Sequence, residues 1–125
     1  MSPRAASDLN LMPERNPSEY LPLSPPMFHV LLSLTQGERH GYLIMKEVEE
    51  RTGGEVRLST GTLYGIIKRL LETSMVEEVG TDDPRRRAYK LTPFGKTVAR
   101  AEAERLESLV DAARASRLLT RKAER

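Results

Sequence analysis

The sequence predicts a mainly α chain with one small β-hairpin, and three observations carry that expectation. Apolar residues recur at helical spacing in three stretches between residues 24 and 73. Two short runs at 75–79 and 86–91, separated by the polar turn Gly80-Thr-Asp-Asp-Pro84, switch to strand character. Thr92-Pro93 then opens a long helical stretch, because Thr caps a helix and Pro at its first position gives up an N–H that would have no partner there.

Ser24-Pro25 starts the first helix in the same way, with Phe28, Leu31, Leu32 and Leu34 as its apolar face through Thr35. The second helix is expected from Gly41 to Thr52, with Tyr42, Ile44, Met45 and Val48 buried and Lys46, Glu47, Glu49 and Glu50 facing water. Gly53-Gly54 ends it, since glycine accepts the left-handed conformation at a helix terminus. The third helix is expected from Thr60 to Thr73 with Ser59 as cap and Leu63, Ile66, Ile67, Leu70 and Leu71 at core spacing. The last helix should run to Leu119, roughly 40 Å at 1.5 Å per residue, too long to pack wholly on so small a domain. The organisation read from this is an arm at 1–22, rich in proline and expected to be mobile, a domain at 23–91, a helix at 92–119 and a basic tail at 120–125.

Charge is nearly balanced, 20 Lys+Arg against 18 Asp+Glu, for a net +2, so its placement matters more than its sum. Residues 1–62 carry 6 basic and 8 acidic side chains, net −2, while 63–125 carry 14 and 10, net +4. Basic charge is therefore shifted toward the second half, which holds the third helix and the hairpin. There is no cysteine, which excludes disulfides, thiolate catalysis and Cys-based zinc sites. His29 and His40 have no ligand cluster around them, and no phosphate loop, nucleophile motif or catalytic triad spacing is present, so no metal, no cofactor and no enzyme activity is expected. The start lacks a signal-peptide core and no apolar run reaches membrane-helix length, so a cytoplasmic protein without a membrane partner is expected.

Three helices followed by a hairpin is the order of a winged helix-turn-helix, with the second and third helices as the helix-turn-helix and the hairpin as the wing. On a helical wheel Leu63, Ile67 and Leu70 point inward, while Gly61, Gly65, Lys68 and Arg69 point outward with Thr62 and Tyr64 at the flanks. Two outward glycines allow close backbone approach, and the hydroxyls and cations suit phosphates and base edges in a major groove. Ser59, Thr60, Gly61, Thr62, Tyr64, Lys68 and Arg69 are therefore candidate DNA contacts. In the wing, Arg85, Arg86 and Arg87 follow the turn and are candidates for phosphate or minor groove, with Arg85 and Arg87 on one face and intra-wing ion pairs to Asp82 or Asp83 as the competing use. In the long helix Ala99, Ala103, Leu106, Val110 and Ala113 recur at alternating spacings of four and three, widened by Leu109 and Ala112, which reads as a dimer seam.

The chain resembles the PadR family of bacterial transcriptional regulators. The matching segments are His40-Gly41-Tyr42 with Ile44, Glu50-Arg-Thr-Gly-Gly54, Leu58-Ser59-Thr60-Gly61-Thr62-Leu63-Tyr64, Arg69-Leu70, Arg85-Arg-Arg87 and Tyr89-Lys-Leu-Thr-Pro-Phe-Gly95. The resemblance implies a winged-helix domain, a dimer held by the C-terminal helix, usually repression, and the short form of the family with a single terminal helix. It departs in having Thr60 where members commonly carry Pro, Ser74 where Gly is frequent, and Ala88 where an aromatic residue is common. Relatives often respond to phenolic compounds or drugs, but with no Trp and two Phe the chain offers little stacking surface, and no small-molecule effector is assigned. The expected function is a homodimeric repressor that binds double-stranded DNA at a palindromic operator. The competing reading is a winged helix whose third helix binds another protein, which would give little salt-dependent DNA affinity.

Overall fold

A computed structural model describes residues 15–80, 83 and 86–120. After a 3-10 turn at Pro17–Tyr20, the elements are α1 (Pro25–Ser33) with a 3-10 extension at Leu34–Gln36, β1 (Arg39–His40), α2 (Gly41–Arg51), α3 (Thr60–Glu72), β2 (Val76–Val79), β3 (Ala88–Leu91) and α4 (Pro93–Ala115).

Each expected cap is made. Ser24 Oγ accepts from the Met27 N–H at 3.3 Å, Ser59 Oγ from Thr62 N–H at 3.1 Å and Thr92 Oγ1 from Gly95 N–H at 2.9 Å, each satisfying a helix N–H that has no intrahelical partner. At the end of α2, Gly54 N–H reaches back to Glu49 O and Gly53 N–H to Glu50 O, with φ of +88° and +61°. This is a Schellman closure built on glycine. The same closure ends α3, with Met75 N–H on Leu70 O and Ser74 N–H on Leu71 O. There the left-handed position is held by Ser74 at φ +62°, the position where the family often has glycine, at a steric cost of roughly 1–2 kcal/mol.

The sheet has three strands in the order β1-β3-β2, all antiparallel. In the hairpin Glu77 faces Lys90 and Glu78 faces Tyr89, opposite charges at the first pair favouring the register. β1 was not expected, since two residues are too few to display alternation. It pairs Arg39 with Tyr89 and His40 with Ala88, tying the wing to the start of α2. The hairpin strands are also shorter than expected: Met75 belongs to the core, and Arg86 N–H bonds Asp83 O at 2.8 Å in the turn.

Val30, Leu31 and Leu34 from the α1 segment, Ile44 and Val48 from α2, and Leu63, Ile67 and Leu70 from α3 form the core with Met75, Val76, Tyr89 and Val98. Burying a side chain of this kind contributes roughly 1.5–3 kcal/mol. Tyr42 corrects the expectation for α2: it is 75% exposed. It lies two residues from Ile44, on nearly the opposite side of the helix, so both cannot face inward. Ile44 and Val48, spaced i, i+4, take the core side, while Leu43 is exposed and Met45 half-buried. Arg51 at the end of α2 reaches α1, donating to the buried Ser33 Oγ at 2.9 Å and to His29 O at 3.2 Å.

Two further differences concern the termini. Helix α4 stops at Ala115, four residues before the expected Leu119, because Arg117 turns left-handed at φ +65° and Leu118 N–H closes on Ala113 O. At 23 residues it is about 34 Å long. At the other end, residues 15–22 were expected within the mobile arm, yet Tyr20 packs edge-on against Phe94 of α4 with ring centroids 5.5 Å apart. The rest of that arm, 1–14, lies outside the described residues, as does the tail 121–125.

Candidate nucleic-acid interface

Helix α3 divides cleanly. Leu63, Ile67 and Leu70 are buried, whereas Ser59, Thr60, Gly61, Thr62, Tyr64, Gly65, Lys68 and Arg69 are exposed. A Cβ built on Gly61 or Gly65 would meet nothing within 4 Å, so both glycines leave open backbone on the outer face. Gly41 differs: a Cβ there would run into the Tyr64 hydroxyl. Tyr64, 44% exposed, is therefore laid across the start of α2, which fixes its direction while leaving part of its ring outward.

The hydroxyls at the start of α3 are not equivalent. Ser59 Oγ accepts from Thr62 N–H and donates to Thr62 Oγ1 at 2.9 Å. A serine hydroxyl has one proton to give, so Ser59 is committed to the cap. Thr62 accepts from Ser59 and keeps its own proton for an external acceptor. Arg69 and Lys68 also separate: Lys68 is on the flank of Tyr64, while Arg69 is on the opposite flank, lining a groove with Tyr20, Leu23, Met27, Glu72 and Thr73.

In the wing Arg87 Nε pairs with Glu78 Oε2 at 2.9 Å across the hairpin. This is an ion pair within the wing, but to a glutamate of β2 and not to the turn aspartates that the sequence suggests. Arg86 is exposed in the turn, two residues before the return strand. Arg85 lies outside the described residues. His40 places Nδ1 3.3 Å from Arg87 O, so its ring braces the wing. Among the described residues no group of three His, Cys, Asp or Glu could hold a metal, and no helix is long and apolar enough to cross a membrane.

Residues 30–101 match the transcriptional regulator PadR-like family. The chain belongs to this family. Two curated relatives are themselves uncharacterized: a 37.1 kDa protein in transposon TN4556 of Streptomyces fradiae, 35% identical over 80 residues (64% of this chain, 22% of that protein), and protein X of Lysinibacillus sphaericus, 29% identical over 70 residues (54% and 64%). The chain therefore spans less than two thirds of the length of the curated relatives it matches. Among solved structures, a transcriptional regulator from Clostridium thermocellum superposes with a TM-score of 0.64 at 24% identity, covering 71% of this chain and 86% of that one. A PadR family transcription regulator from Clostridium difficile gives 0.64 at 21%, covering 73% and 96%. RosR of H. salinarum gives 0.56 at 27%, covering 78% and 98%. The two clostridial structures establish the winged-helix fold. In this PadR-like chain the matched span takes in α2, α3, the wing and the docked half of α4, and it ends just before α4 leaves its own domain.

That departure is abrupt. Gly95, Val98, Ala99 and Glu102 are the buried residues of α4, and among the described residues none beyond Glu102 is buried. Ala99 is only 7% exposed and packs in the subunit's own core, so it is not available to a seam between chains. From Ala103 onward the stripe lies open, with Leu106, Leu109 and Val110 between 36% and 55% exposed. Ala113 is half-buried, and beyond the helix end Leu118 and Leu119 add exposed apolar surface.

Proposed function

We propose that the protein is a homodimeric DNA-binding repressor that reads a palindromic operator with the outer face of α3. The observation carrying this reading is the pairing of open backbone at Gly61 and Gly65 with outward Thr62, Tyr64 and Lys68 on one exposed helix face. Backbone can approach a groove floor only where no Cβ intervenes, and the flanking donors then reach base edges and phosphates. Thr62 donates its free proton, Lys68 supplies charge, and the exposed Thr60 and Gly61 N–H groups at the helix start face phosphate. Ser59 serves as the cap that presents them, and Arg69 contacts backbone from the far flank.

Tyr42 joins this surface from α2. With Met45, Lys46, Glu49, Glu50 and Leu58 it borders a hollow beside the segment leading into α3, and we assign its hydroxyl and the Lys46 ammonium to the backbone that the first helix of a helix-turn-helix crosses. In the wing Arg86 is the phosphate contact, and Arg87 joins it by exchanging Glu78 for phosphate; Arg85 is assigned the same role from sequence. The stripe of exposed Ala103, Leu106, Leu109 and Val110 with half-buried Ala113 pairs with its two-fold copy. Two α3 helices then meet half-sites about 34–36 Å apart.

Two substitutions on the reading face test it. Lys68→Ala should weaken operator binding, by roughly 1–3 kcal/mol if Lys68 contacts a base or with a salt slope reduced by about one if it contacts phosphate. Gly65→Ala should raise thermal stability, since alanine is favoured over glycine in a helix by roughly 0.8–1.0 kcal/mol, and yet lower DNA affinity because its methyl fills the approach. Stability that rises with affinity unchanged, together with an indifferent Lys68→Ala, would remove α3 as the reading element.

A further inference from the structure

Residues 15–23 form a strap that bridges the end of α3 and the first half of α4. Asn16 Oδ1 accepts from Ser18 N–H at 3.0 Å and starts the turn Pro17–Tyr20. The Arg15 guanidinium donates to Thr73 O, the C-cap of α3, and stacks over the Phe94 ring of α4 at 4.0 Å from its centroid and beside Tyr20 at 5.6 Å. Cation and ring attract through the ring quadrupole, so one side chain joins both helices. Further along, Leu23 N–H donates to Glu102 Oε2 at 3.2 Å. Glu102 is 2% exposed and is held from its other side by Arg105, at 2.6 Å and 3.0 Å. The Arg105 guanidinium keeps the Glu102 carboxyl below its ordinary range, against the upward push of burial and with help from the Leu23 N–H.

Glu102 is the last buried residue of α4, so the strap acts where the helix leaves its domain. Beyond it α4 continues thirteen residues to Ala115, about 20 Å of lever. A tilt of about 5° at Glu102 displaces the helix end by roughly 2 Å. The other end of the strap sits on α3 itself. In a dimer paired through α4, a change in the angle between α3 and the projecting half of α4 would move both α3 helices.

We propose that Arg15 and Tyr20 are positioning residues that set the half-site spacing the protein accepts, by fixing α4 against α3. This rests on the dimeric DNA-binding reading above; neither residue is among those assigned to DNA, although Tyr20 lines the same groove as Arg69, so the half-site control below separates a positioning role from a contact. The strap buys discrimination between spacings, and the contacts of α3 with each half-site are independent of it.

The test uses the full chain and duplexes recovered by selection from a random-sequence library, with the distance between inverted half-sites then changed by one base pair in each direction. Wild type should lose at least tenfold in affinity at both altered spacings. Tyr20→Ala and Arg15→Ala should lose less than threefold, with binding to an isolated half-site unchanged. Circular dichroism identifies the folded variant, and Arg15→Ala, which removes no buried side chain, serves if Tyr20→Ala fails to fold. A folded variant that discriminates spacing as wild type does, or that loses half-site affinity in equal measure, overturns the proposal. Sedimentation of the wild type separates the two readings: a dimer with unaltered spacing behaviour in the variants sinks the strap role alone, whereas a monomer sinks both.

Discussion

Leu106→Asp is expected to give a folded monomer whose operator affinity falls by about 10²-fold or more, the gain that linking two binding modules supplies. Leu106 is at the centre of the exposed stripe of α4, four residues before Val110 and three after Ala103, and none of the three is used by the subunit's own core. Against a partner helix its side chain would be surrounded by apolar groups, and an unpaired carboxylate there costs several kcal/mol. The winged-helix core should not register the change, because α4 contributes to that core through Val98 and Ala99, two turns earlier. Sedimentation, circular dichroism and a DNA titration on the same sample read all three consequences. A Leu106→Asp protein that is folded and still dimeric at low micromolar concentration would place the interface elsewhere.

Gly95→Ala is expected to be the most destabilising single methyl addition in the described chain. A Cβ on Gly95 would overlap the Met75 carbonyl oxygen and sit 2.8 Å from its carbonyl carbon. Both are backbone, so no rotamer change relieves the overlap. The same oxygen accepts from Thr92 N–H at 3.1 Å, and Thr92 Oγ1 donates to Ser74 O at 2.6 Å; the start of α4 is thereby bonded directly to the turn that closes α3. Inserting a methyl must break those bonds or lever α4 away, a cost of about 3 kcal/mol at the upper end of overpacking. For a domain of this size that lowers the melting temperature by roughly 10–20 °C. A melting temperature within about 2 °C of wild type would mean that α4 does not dock through Gly95. The motif Thr-Pro-Phe-Gly thus has a physical reading: cap, start, strap contact and close approach, in consecutive residues.

Most of this architecture was legible because it is written in short-range chemistry. Ser24, Ser59 and Thr92 cap where a hydroxyl precedes an apolar helix, Gly53-Gly54 closes α2, and the wheel of α3 sorted inward from outward side chains without error. What escaped depends on contacts distant in sequence. β1 exists because Tyr89 and Ala88 offer it an edge, which two residues cannot announce. The strap lay in a proline-rich polar segment that looks unstructured until Phe94, Thr73 and Glu102 are beside it. Ala99 fits the heptad stripe by spacing, but spacing does not say where along α4 the domain stops. Tyr42 differs for another reason: its apolar ring reads as core, but the helical angle from Ile44 turns it outward. Val30, buried fully in α1, was passed over for half-buried Phe28 and Leu32 because the window gives several apolar residues and the angle of the core is set by α2 and α4.

The central claim is that this PadR-like chain recognises a DNA sequence. The direct measurement is the affinity of the full-length wild type for its selected duplex and for a scrambled duplex of equal length, each titrated across salt from 50 to 200 mM on the scale where phosphate contacts are read. The selected duplex is expected to bind at least about 10³-fold tighter at physiological salt, with both affinities falling steeply as salt rises. Equal affinity for the two duplexes, or binding to neither that responds to salt, would contradict it and leave the exposed face of α3 to a protein partner.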